Sequence, residues 1–267
     1  MSKRHSHLSR ILSAACAGVA LLGLAGFAHA YVVSAYVDGG ETLYLKWGDN
    51  HAGTLGGVVY WSFMPAGTPG SPYCADACPG NSVDSINVEI SPAGGFASTP
   101  LTTLEPRIVA AMRKWAARTG IRFVKLDDDS GVPINDPAAS PPATGQIRIG
   151  VFAFGPGAGG AGVGYLPPPN GGTGAGDILF NAAAFYQIAP GNEGDPYDTT
   201  FAPNDFESLA LHEFGHAIGL EHPPFDGTCP VMCVDPGCLG FIRRQLGADD
   251  ANGANFLYDT LLLDGFD

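Results

Sequence analysis

HEFGHAIGLEHPPFDGTCPVMC, residues 212–233, holds three histidines and closes on a methionine between two cysteines. His212 and His216 stand four residues apart in a stretch with helical periodicity. Both imidazoles then fall on one helix face, with Cβ atoms about 5–6 Å apart. Two such nitrogens can close on one zinc ion. His222 lies six residues beyond His216, and on a continuing helix it would point to another face. It reaches the same ion only if the chain turns sharply in between. Gly219 stands where that turn is needed, and glycine takes the left-handed conformation that ends helices.

Three neutral histidines leave a zinc ion its full charge and one open position. A water bound there ionises near pH ~7 in comparable sites. Glu213, next to the first ligand, can take that proton as the water attacks a carbonyl and pass it to the leaving amine. The expectation is one catalytic Zn2+ on His212, His216 and His222, with Glu213 as general base, hydrolysing peptide bonds without a covalent intermediate.

Outward from this stretch, Asn204 and Glu207 form a capping pattern before a helix from Asp205 to about Ile218. A last helix is expected over Ala248–Tyr258, with Asp249 and Asp250 at its positive end. Upstream, GVVYWSF (Gly57–Phe63), IRFVK (Ile121–Lys125), QIRIGVFAF (Gln146–Phe154) and DILFN (Asp177–Asn181) read as strands. Thr102 and Glu105 suggest a capping box, and Ile108, Met112 and Trp115 recur at helical spacing up to Gly120. The span 64–100, dense in Gly, Pro, Ser and Asn, reads as a long loop or insertion holding a cysteine pair. The glycine-rich run 155–176 lies inside the domain, with Gly162–Leu166 as a short edge strand. Asp127–Asp129 reads as a solvated turn, with calcium ligation as the other reading. Strands interleaved with one helix and followed by two more imply an α+β domain, a mixed sheet with helices packed on it.

The chain has 267 residues, and Lys3, Arg4 and Arg10 precede an apolar run ending in Ala28-His29-Ala30. That is the anatomy of a secretory signal peptide over residues 1–30. It implies a secreted protein, extracellular or periplasmic, with no stable membrane insertion after cleavage. A formal charge of −13 opposes nucleic-acid binding. Beyond the leader stand Cys74, Cys78, Cys229, Cys233 and Cys238. In an oxidising compartment they should mostly pair in short staples, with one thiol left over. The twice-repeated Cys-x3-Cys spacing also allows zinc. A Cys229–Cys233 staple across Met232 is the local expectation.

HEFGHAIGLEH resembles the zinc-binding signature of the metzincin endopeptidases, and within them the matrixins, which are matrix-metalloproteinase-like. Met232 in CPVMC looks like the methionine of their Met-turn, which lies beneath the zinc. QLGADDANGANFLY (Gln245–Tyr258) is similar to their closing helix. GDILFN and GAGVGYLPPP are similar to the segments above their cleft. The resemblance spans about Lys46–Tyr258 and implies a mixed twisted sheet of about five strands, three main helices, and an extended polypeptide substrate bound antiparallel to an edge strand. Residues 31–267 would then be a single catalytic domain with the insertion near 64–100. The histidines that hold a second, structural zinc in that family have no counterpart here, since the matching segments read Val163-Gly164-Tyr165-Leu166 and Asp177-Ile178-Leu179-Phe180. Asp177 remains as a possible calcium ligand. The wall of the specificity pocket is expected from about Cys233 to Ile242. The competing reading is a non-catalytic, zinc-stabilised secreted binding or adhesion protein on the same scaffold.

Overall fold

The computed structural model describes residues 31–258; the expected leader lies outside the described residues. Three short strands come first: β1 (Val32–Val33), β2 (Ala35–Asp38) and β3 (Glu41–Tyr44). Next come β4 (Val58–Phe63), the hairpin β5 (Ser85–Ser91) and β6 (Gly95–Pro100), and helix α1 (Glu105–Thr119). Then follow β7 (Arg122–Lys125), β8 (Ile147–Phe152), β9 (Gly162–Gly164), β10 (Ile178–Asn181), β11 (Phe185–Gln187) and β12 (Asn204–Asp205). Helix α2 (Phe206–Ala217), β13 (Leu220–Glu221) and helix α3 (Ala248–Leu257) close the fold.

The main sheet has five strands in the order β7-β4-β8-β10-β9. Its first four are mutually parallel, and β9 runs antiparallel to β10 at the edge. The protein is thus a mixed α+β domain with three α-helices among the described residues. Parallel strands are normally covered on both faces, and β8 is buried at all six positions. Its Ile147, Ile149 and Val151 join Trp115 of α1 and Phe214 of α2 in the larger core. Phe152 turns to the opposite face, against Leu179, Met64 and the Cys74–Cys78 disulfide.

Helix α1 buries Ile108, Met112 and Trp115 and ends at Gly120, whose φ of 62° is left-handed. Trp115 Nε1 donates to Leu211 O at 2.8 Å and docks α1 on α2. The Thr102 capping box does not form: Thr102 lies in a 3-10 turn, and Leu104 precedes the helix without a side-chain cap. The cap of α2 is shifted by one residue from Asn204. Asp205 accepts from Ser208 N at 3.0 Å and from Ser208 Oγ at 2.6 Å.

The span 64–100 is loop only as far as Asp84. From Ser85 it forms the β5–β6 hairpin, joined through β11 to β12 in a second four-stranded sheet. Ile86 and Val88 alternate with polar residues and are buried, a period-two signal short enough to be masked by the flanking glycines and prolines. Asp129 is no solvated turn residue. Its carboxylate receives Arg148 Nε at 2.9 Å and Nη2 at 2.7 Å, and both side chains are buried. The charge of Arg148, in the central strand, requires that partner.

Candidate metal centre and its cleft

Helix α2 carries His212 and His216 on one face, and a backbone carbonyl fixes each ring. His212 Nδ1 donates to Val231 O at 2.8 Å, and His216 Nδ1 donates to Leu220 O at 2.8 Å. A carbonyl can only accept, so the proton sits on Nδ1 and each Nε2 is a bare lone pair. After α2 the chain turns at Gly219, whose φ is 108° and whose N–H donates to His216 O at 2.8 Å. A Cβ there would lie 2.3 Å from Leu45 O. Strand β13 then pairs antiparallel with β1 and brings His222 back over the helix. His222 Nε2 lies 3.1 Å from His212 Nε2 and 2.9 Å from His216 Nε2. The three histidines expected from the sequence meet at one point, and Gly219 makes the bend.

The electrostatics match that geometry. Burial, reinforced by the neighbouring imidazoles, holds His212 well below the ordinary histidine pKa and brings His216 down to about 4. Burial also lowers His222. Three ring nitrogens so close can share at most one proton among them, and the others face each other as lone pairs. A divalent cation satisfies all three. Nitrogens about 2.0–2.1 Å from a tetrahedral zinc stand roughly 3.3 Å apart, close to the separations found. The residues therefore fit a zinc ion.

Glu213 is buried beside them, and burial pushes its carboxyl up to about 8, against a hydrogen bond from the backbone N–H of Gly164 that lowers it. Strand β9 lies so close that a Cβ on Gly162 would sit 2.7 Å from Glu213 Oε1, and one on Gly164 would sit 2.4 Å from Glu213 O. These glycines let the edge strand approach α2. The sequence places them on an edge strand above the cleft, without a reason for their being glycine.

Met232 is buried under α2. A Cβ on Gly215 would be 2.2 Å from its sulfur, so any side chain at this helix position would displace the methionine. The turn itself is held from α3. Asp250 accepts from Val231 N at 2.8 Å, Met232 N at 3.1 Å and Gly247 N at 2.8 Å. Val231 O in turn receives His212 Nδ1, so Asp250 orients a ligand through one peptide unit. The sequence suggested for Asp250 only a favourable helix end, and for Gly215 nothing.

The Cys229–Cys233 staple does not form. Cys229 pairs with Cys238, and Cys233 is the free cysteine among the described residues, buried beside them. The 3-10 turn Pro236–Cys238 carries Cys238 back to Cys229, while Cys233 points inward. The Cys74–Cys78 pair forms as expected. Asp177 lies deep under the sheet. Its Oδ1 accepts from Arg148 N at 2.8 Å, its Oδ2 has no hydrogen-bond partner, and burial raises its carboxyl well above the usual range. That environment favours the protonated acid, a poor ligand for a hard cation. Asp177 belongs to neither group of three metal-ligating side chains found among the described residues.

A cleft of about 510 Å³ runs over the histidines. Glycines 162 and 164 of β9 line one side; Leu209, Val234, Leu239 and Phe241 line the other. The segment after Met232 forms that wall, as the sequence suggested, joined by Tyr197 from the loop before α2. Compared with known proteins, the chain matches no family model and no curated protein.

Proposed function

We propose that the protein is a secreted zinc-dependent endopeptidase of the metzincin type, matrixin-like, acting on extended polypeptide. One observation carries the reading: three imidazole nitrogens, two of them stripped of protons by carbonyl bonds on the far side of the ring, converge within 2.9–3.1 Å beside a buried glutamate. His212, His216 and His222 would hold a zinc ion, which when bound would supply Lewis acidity for hydrolysis. Glu213 supplies the proton traffic. A carboxyl that burial lifts toward neutrality is a competent acceptor, and once protonated it can donate to the departing amine. The Gly164 N–H donates to that carboxylate. Strand β9, bonded on one side only to β10, offers the edge along which an extended peptide can lie. The apolar wall from Leu209, Val234 and Leu239 favours an apolar side chain next to the cleaved bond.

The first test is Glu213→Gln. Zinc content should stay near one per chain, while cleavage of a broad peptide library falls at least ~100-fold. Unchanged cleavage would overturn the role of Glu213. A wild-type protein that binds one zinc and cleaves no peptide would favour the binding-protein reading instead.

A further inference from the structure

Three sulfurs lie at the foot of the cleft wall. Cys229 and Cys238 form a disulfide, and the Sγ of Cys233 lies against the Sγ of Cys238. The ligand atoms of all three lie within 4.8 Å of one another. Cys233 and Cys238 are buried, whereas Cys229 is exposed. Cys233 is held in this position from both sides. Its N–H donates to Pro230 O at 3.1 Å, and Arg243 Nη1 donates to Cys233 O at 2.5 Å and to Pro230 O at 2.9 Å. Cys238 is set by its N–H on Asp235 O at 2.8 Å. A thiol fixed against one sulfur of a disulfide is the starting arrangement for exchange.

We propose that Cys233 exchanges into the Cys229–Cys238 disulfide, so that the odd thiol surfaces at Cys229 as a site for mixed-disulfide formation with a low-molecular-weight disulfide. The first step is internal and redox-neutral. The Cys233 thiolate attacks Cys238 Sγ, the Cys233–Cys238 bond forms as the Cys229–Cys238 bond breaks, and the electron pair leaves on Cys229 Sγ. Cys229 then takes up the proton that Cys233 lost. In the second step the exposed Cys229 thiolate attacks a small disulfide, forms Cys229–S–S–R and releases one thiol, which carries away the other half. The exchange moves the free thiol from a buried cysteine to an exposed one without any external oxidant. Cys233 and Val234 line the cleft, so the bond that Cys233 makes is felt in the cleft wall. None of this depends on the peptidase reading.

The experiment uses the intact protein, folded, at pH 8. It is incubated with oxidised glutathione, quenched in acid, digested without reduction and mapped by mass spectrometry. The expected products are a glutathione adduct on Cys229 and a Cys233–Cys238 cystine in the same molecules. Cys233→Ser should retain the Cys229–Cys238 cystine and lose the Cys229 adduct at least tenfold. An adduct found on Cys233 with Cys229–Cys238 intact would overturn the proposal, as would no adduct after hours under native conditions. Should Cys233→Ser fail to fold by circular dichroism, the wild-type map alone still decides.

Discussion

His216 would bind a metal ion through the same nitrogen that otherwise titrates. In an unfolded chain a histidine takes up its proton near pH 6.5, but in the fold burial delays it to about 4. Between those values the unfolded state holds a proton that the folded state lacks, so the metal-free protein loses stability as pH falls from about 6.5 toward 4. His216 alone accounts for about 3 kcal/mol of that loss. Glu213 acts in the opposite sense: its raised carboxyl costs stability as pH rises from about 4.5 through 8. The clean measurement is urea unfolding of metal-free Glu213→Gln, alone and with His216→Gln added. The second substitution should flatten the decline between pH 6.5 and 4, and parallel curves would refute the assignment. The convergence of the three histidines was legible because helical spacing and one glycine are local signals. Gly215 was not, because the reason for it, the sulfur of Met232, comes from seventeen positions along the chain. Gly215→Ala should drive a Cβ into that sulfur and cost about 1–3 kcal/mol, read as a lowered urea midpoint with Met232→Ala partly rescuing it.

The helices were the most readable elements, since α1, α2 and α3 each keep their expected course to within a residue or two at either end. The main-sheet strands were readable for the same reason: β8 and β10 are apolar runs bounded by turn residues. The β5–β6 hairpin was hidden, because the strand that extends its sheet, β11, lies about a hundred residues away and the local composition looks like loop. The N-terminal strand β1 was likewise hidden: two residues acquire strand character only by pairing with β13. Contacts between elements therefore carry the information that the sequence lacks, and Asp250 is the plainest case. It ties α3 to the turn under the candidate metal centre by two N–H bonds, from Val231 and Met232, and caps α3 by a third from Gly247. Asp250→Ala leaves those buried donors unpaired, at about 1–3 kcal/mol each before relaxation. It also frees Val231 O, which orients His212, so zinc affinity should fall about 10–100-fold. Isothermal titration with zinc, on protein shown to be folded, distinguishes this from a purely structural loss; unchanged affinity would confine Asp250 to stability.

At the scale of the whole molecule, the candidate metal centre draws its three histidines from two elements, α2 and the segment after β13, that already bond to one another and to the Met232 turn. Helix α2 would give two ligands, the segment returning along β1 would give the third, and the Met232 turn, fixed from α3, orients the first. A cation bound at this junction stabilises only the folded arrangement, since the unfolded chain presents the three imidazoles without a common geometry. Linkage then sets the size of the effect: at a free zinc concentration ~1,000-fold above Kd, folding gains about 4 kcal/mol. For a domain of this size that corresponds to a rise in Tm of about 8–16 °C. Calorimetry of the chelated protein, the zinc-restored protein and His222→Ala measures it. The wild-type protein should regain the full rise when zinc is restored. His222→Ala should recover only a small part, because two imidazoles on one helix face bind far less tightly than three held by separate elements. Equal melting temperatures with and without zinc would show that the junction is held by the polypeptide alone, and that convergence of the histidines owes nothing to a metal.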